Sequence, residues 1–314
     1  MECPAGDTAC KMVSGDDLGP MLRVGLWVLT TLSFAFLVTR LVCKFKRHRT
    51  FHVDDYVLVA SWLMFLGSVI CTTVEIAYGF GKHSFDNVYT AGEVDKIALI
   101  GSLTVTLGIC AQVWSKTSWA ITLLRVSTGS LRWFMWFALV SMNLFFAVPA
   151  FAEWLQCQPI EKAWHPLLPG TCWSPRVSIV LGIVASSYSG VLDLAFAIIP
   201  WMLLRNLHVS PGEKLGVALA MSMGVFAAIS AFIKSSAFPA LASPDFSYEG
   251  VTLTLWCAAE PAVTIMAASV PMMRVLAQTA RKPVSWAGAS RDHLPANAAT
   301  TPSDGEMEEA RSMR

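Results

Sequence analysis

VTLTLWCAAEPAVTIMAASVPMMRV, residues 251–275, decides the fold class. An α-helix needs roughly 20 apolar residues to cross a hydrocarbon core about 30 Å thick, and this stretch supplies them with two charges, Glu260 and Arg274. Working back toward the N-terminus, comparable runs occupy Leu215–Ser236, Val177–Leu204, Trp133–Phe151, Ile97–Leu124, Tyr56–Tyr78 and Met21–Val42. None alternates with the period of two that a barrel strand requires. The expectation is an all-α, polytopic membrane protein. Its seven-transmembrane-helix bundle would cover residues 21–275, between a short extracytoplasmic tail (1–20) and a disordered cytosolic tail (276–314).

Composition agrees. Charged residues make up 14% of the chain and hydrophobic ones 54%, whereas a soluble domain carries about 25% charged residues. A net charge of +1 provides no nucleic-acid surface. The first twenty residues contain no apolar core of a signal peptide, so the first helix would itself be the targeting signal. The segment after Gln278 is rich in Ala, Ser, Pro and charge and has little to bury.

Basic residues set the expected orientation. Twelve lie on one side: Arg40, Lys44, Lys46, Arg47, Arg49, Arg125, Arg132, Arg205, Lys214, Arg274, Arg281 and Lys282. Six lie on the other: Lys11, Arg23, Lys82, Lys96, Lys162 and Arg176. This places the N-terminus outside and the C-terminus in the cytosol, in a plasma membrane or endomembrane. Cys3, Cys10, Cys157 and Cys172 then face an oxidising compartment, where disulfides persist. Cys157 and Cys172 share one outer loop with fourteen residues between them and are expected to be bonded; Cys3 and Cys10 form a second candidate pair. Cys43, at a cytosolic helix end, is a candidate for palmitoylation.

Charges inside a bilayer cost about 3 kcal/mol or more at a helix centre, so they are where function is sought first. Asp193 and Glu260 lie near the middle of segments five and seven, and Lys116 in the inner half of segment three. Glu75 and Lys234 lie toward the outer ends of segments two and six. At 1.5 Å per residue, Lys116 and Asp193 reach matching depths, so an ion pair is expected, either as a clamp between helices or as a proton or counter-ion site. Glu260 precedes Pro261, whose ring frees a backbone carbonyl one turn earlier. It is expected to line an outward-opening cavity near Lys234 or Glu75, although a Lys near a helix end also snorkels to the interface. Asp54 and Asp55 open segment two, where acids favour the helix N-terminus, and read as caps.

Several signatures are missing. Segment seven has no Lys for a retinal Schiff base in its usual place, and no His lies within a segment to hold haem or zinc. There is no Gly-rich phosphate loop and no G-x-S-x-G. No cofactor and no metal is expected.

A set of residues spread over the membrane region carries a resemblance. It comprises Asp54-Asp55-Tyr56, the run Gly79-Phe80-Gly81-Lys82-His83, then Lys116, Ser118 and Arg125, and Cys157-Gln158-Pro159 with Trp164, Gly170 and Cys172. Asp193, Pro200, Lys214, Gly224, Glu260, Pro271 and Arg274 complete it. In order and spacing the chain resembles the fungal rhodopsin-like domain family of seven-helix integral membrane proteins. That family includes pathogenicity-related receptor-like proteins and membrane proteins of satratoxin-type biosynthetic clusters. The chain departs from the pattern at Lys234, where the family tends to carry Arg.

Fold alone does not fix function. The resemblance and the intramembrane charges together imply a membrane protein of secondary-metabolite biosynthesis that binds, passes on or rearranges a lipophilic intermediate. Its partners would be membrane lipid and a lipophilic small molecule; the short cytosolic loops offer little surface for a signalling partner. If it is an enzyme, Glu260 and Asp193 are the candidate catalytic acids for a metal-free, non-redox cyclisation or isomerisation. The alternatives are a seven-helix receptor for a small apolar ligand and, third, a proton-coupled transporter using Asp193 and Lys116.

Overall fold

The computed structural model describes residues 17–46, 52–83, 89–125, 127–204 and 211–280. Seven long helices dominate it: α1 (Gly19–Lys46), α2 (Val53–Ala77), α3 (Ala91–Leu124), α4 (Ser130–Leu155), α5 (Pro175–Leu204), α6 (Pro211–Ala237) and α7 (Phe246–Ala280). All seven are long and apolar enough to cross a membrane. Two short strands, β1 (Cys157–Gln158) and β2 (Thr171–Cys172), pair antiparallel between α4 and α5. A 3₁₀ turn, Phe238–Ala242, links α6 to α7.

Helix ends depart from the apolar runs where polar chemistry takes over. α3 begins at Ala91 rather than Ile97 because Thr90 donates to the Glu93 carboxylate from its backbone N–H at 2.8 Å and its hydroxyl at 2.7 Å. Such a capping box starts a helix in polar sequence ahead of the apolar stripe. α4 continues to Leu155 rather than Phe151, which brings Glu153 and Trp154 into the bundle.

Burial follows the logic of a lipid-solvated bundle. In α4 one face exposes Trp133, Phe137, Leu144, Val148 and Phe151, while Met135, Ala138, Met142 and Phe146 pack inward. Both sets repeat at helical spacing and both are apolar, because one face meets lipid and the other meets packed helices. α7 is the central helix: 72% of its apolar window is buried, against 22–39% in the other six. Its buried face is rich in alanine, with Ala258, Ala259, Ala262, Ala267 and Ala268. α5 and α6 meet tightly through small residues, since a Cβ on Gly224 would sit 2.8 Å from that of Ala197.

The Cys157–Cys172 disulfide forms as expected and joins β1 to β2. Cys3 and Cys10 lie outside the described residues. Cys43 is buried rather than presented at the surface, which removes it as a ready acylation site. The disulfide marks one end of the bundle; Asp54 and Asp55 lie at the opposite end. At the disulfide end the α2–α3 connection is fastened on both sides. Leu18 N–H donates to the Gly81 carbonyl at 3.0 Å, and Gly81 N–H donates to the Ser247 carbonyl at 3.0 Å. Gly81 has φ of 100°, and a Cβ there would lie 2.6 Å from the Gly19 nitrogen, so only glycine fits. His83 contacts Asp245 and stacks on Tyr248 at 4.2 Å. The Gly79–His83 run thus ties α1 and α7 together at this end.

Candidate functional site

Four ionisable side chains from four helices converge within the bundle. Lys116 of α3 donates to Asp193 of α5 at 2.7 Å, to Glu260 of α7 at 2.5 Å, and to the Ser189 hydroxyl. Lys234 of α6 donates to the Gln112 side-chain oxygen at 3.1 Å and to the second oxygen of Glu260. Gln112 Nε2 completes the ring, donating to Glu260 at 2.7 Å and to Ser189 at 3.0 Å. Ser189 Oγ in turn donates to Glu260 at 2.5 Å. Glu260 therefore accepts from Lys116, Lys234, Gln112 and Ser189, and it is wholly buried.

Two ammonium groups face two carboxylates, so the network is neutral when all four are ionised. Buried charges are tolerated only when paired and hydrogen-bonded, which this arrangement achieves. Lys116 uses all three of its N–H donors. Lys234 uses two of its three among the described residues.

Lys116, Asp193, Lys234 and Glu260 thus form one unit, but Glu75 does not join it. Glu75 accepts from Thr104 at 2.7 Å, between α2 and α3. Lys234 turns inward to Glu260 instead of snorkelling to the membrane interface. Gln112 and Ser189 escaped notice in the sequence because neither is charged. Their spacing held the signal: Gln112 precedes Lys116, and Ser189 precedes Asp193, by one helical turn.

Beside the network lies a cavity of about 250 Å³ in the half of the bundle nearer the disulfide. All seven helices contribute, through residues such as Leu26, Val69, Phe146, Leu181, Phe238 and Leu253. The wall is mostly apolar; its polar points are Lys234 and Gln112 where it meets the network, Glu153, and scattered hydroxyls such as Thr104, Ser178 and Ser186. Glu153 lies beyond the apolar run of α4 and was not legible as an intramembrane acid. Pro261 lines the cavity, but Glu260 and Asp193 are not in its wall. The backbone turns Glu260 away from the cavity and into the lysines.

A second buried ionic cluster lies at the opposite end. Arg40 donates to Asp54 at 2.7 Å, to Asp55 at 3.0 Å and to the Ala268 carbonyl of α7. Lys44 contacts Asp55 and lies 3.6 Å from Asp54, and Arg125 reaches Asp54 at 2.7 Å. Ser118 of α3 donates to the Asp54 carbonyl at 2.6 Å. Asp55 does accept from the His52 N–H at 3.2 Å, as a cap would. Capping is nonetheless the lesser part of the role, because both acids are buried against Arg40, Lys44 and Arg125. His52, Asp54 and Asp55 approach within 4.8 Å of one another, but guanidinium and ammonium groups already occupy the carboxylates.

Known proteins give the same architecture a family. A relative, Fugralins biosynthesis cluster protein 2 of Gibberella zeae, is 24% identical over 128 residues, covering 40% of this chain and 31% of that protein. The matched stretch is therefore about a third of the relative's own length. No solved structure matches the chain. The model of the fungal rhodopsin domain matches residues 39–279, nearly the whole bundle from the Arg40 cluster to the end of α7. The chain is a multi-pass membrane protein and belongs to the fungal rhodopsin domain family.

Proposed function

We propose that this protein serves secondary-metabolite biosynthesis by taking a lipophilic intermediate into the seven-helix cavity and passing it on. One observation carries the reading: an apolar cavity walled by all seven helices ends on a polar floor at Lys234 and Gln112. Mostly apolar walls with a few placed polar groups are the usual form of a small-molecule site. The relative's name, which assigns that protein to a biosynthesis cluster, supports the same class of role. Binding fits better than acid–base rearrangement. Neither Glu260 nor Asp193 lines the cavity, and Glu260 is already engaged by Lys116, Lys234, Gln112 and Ser189. With the expected orientation, the disulfide end and the cavity half face the extracytoplasmic side.

The test is a gene deletion complemented with wild type or with Ser186→Phe. Ser186 lines the cavity but is outside the ion network, so the bulkier side chain fills the space and leaves the charges in place. Deletion and Ser186→Phe should both remove or redirect the same metabolite while the variant still reaches the membrane. Unchanged metabolites in the deletion strain would reject the reading. If that strain instead lost a response to an external compound, the receptor reading would replace it.

A further inference from the structure

The floor of the cavity has a defined spare capacity. Gln112 has no N–H to spare: its nitrogen donates to Glu260 and Ser189, and its oxygen already accepts from Lys234. Lys116 is saturated and lies outside the cavity wall. Lys234 lines the cavity, is 3% exposed, and among the described residues has one N–H left over after Gln112 and Glu260. The donor that the floor can still offer a ligand is this one N–H, from an ammonium whose charge Glu260 already balances.

Electroneutrality narrows the ligand further. The network holds two lysines against two acids. A carboxylate in the cavity would add an uncompensated charge in a buried site, which is unfavourable. A hydrocarbon, in turn, would leave the Lys234 donor unmet, and an unmet buried donor is costly.

We propose that the cavity selects a neutral lipophile carrying an acceptor oxygen, such as a ketone, ester or ether, which takes the remaining N–H of Lys234, over both hydrocarbons and carboxylates. This rests on the reading of the cavity as a ligand site. A hydrogen bond of ordinary net strength, about 1 kcal/mol, corresponds to roughly a fivefold preference.

Three probes of equal chain length separate the terms: nonane, methyl heptyl ketone and nonanoate. Their binding to the full chain in lipid nanodiscs is measured against empty nanodiscs of the same lipid, at a pH where nonanoate is ionised. The ketone should bind about fivefold more tightly than nonane, and nonanoate more weakly than the ketone. Lys234→Met combined with Glu260→Gln removes the donor while keeping the network neutral. In that variant the ketone should fall to the affinity of nonane, with nonane unchanged. Nonanoate binding at least as well as the ketone would overturn the charge argument. Equal binding of ketone and nonane to wild type, or a ketone preference that survives in the double variant, would overturn the assignment to Lys234. Binding by none of the three would instead defeat the cavity's reading as a ligand site.

Discussion

The two buried ionic clusters look alike in composition but differ in setting. At the Asp54–Asp55 end, Arg40, Lys44 and Arg125 surround two acids, and the cluster joins α1, α2, α3 and a backbone carbonyl of α7. No residue of it lines the cavity. In mid-bundle, two lysines and two acids balance, and two members of the network, Lys234 and Gln112, form the cavity floor. The comparison teaches that burial of charge by itself does not mark a ligand site. The end cluster fastens helices; the mid-bundle network fastens helices and also presents a polar group to an apolar space.

The largest effects should come from breaking either fastener. Arg40→Met leaves Asp54 and Asp55 without their central partner and should cost about 3–5 kcal/mol of stability, read as loss of folded protein in detergent unfolding. The molecules that do fold should keep wild-type discrimination among cavity ligands; altered discrimination would erase the distinction between the clusters. Lys116→Met and Asp193→Leu should each cost a similar amount, because each leaves a buried charge unmatched. The double variant restores neutrality and should lose less than the sum, by about 1–3 kcal/mol. Purely additive losses in that cycle would mean the 2.7 Å pair has no energetic consequence.

Smaller effects sharpen the comparison. Replacing Cys157 and Cys172 by Ser opens a loop with a sequence separation of 15, worth about 3 kcal/mol in the chain-entropy model. The loss should be visible by comparing unfolding of the oxidised and mutant proteins. Ser118→Ala removes a neutral hydrogen bond to the Asp54 carbonyl and should cost about 1 kcal/mol. If it cost as much as Arg40→Met, the end cluster would owe its strength to hydrogen bonding in general and not to charge.

The seven crossings were legible because roughly 20 consecutive apolar residues leave few other folds open. The charged members Lys116, Asp193, Lys234 and Glu260 were legible because charge is rare in such runs. Their partners Gln112 and Ser189 were not, since polar uncharged residues are common in membrane helices and only the one-turn spacing gave them away. The inward turn of Arg40 and Lys44 was hidden for a different reason: near a helix end, a basic residue that faces a loop and one that turns inward to an acid have the same sequence. Only the packing of α1 on α2 separates them. The direction of Glu260, away from the cavity that Pro261 lines, depends on helix rotation, which no single-helix pattern fixes.

The proposal that most needs a direct measurement is that the cavity holds a lipophilic biosynthetic intermediate. Wild-type protein and Ser186→Phe are purified from the native producing strain in lipid nanodiscs, and the small molecules that remain bound are identified by mass spectrometry. The account predicts a neutral, oxygen-bearing metabolite retained by wild type and absent from Ser186→Phe. Equal retention by both proteins, or no bound metabolite in either, would contradict it.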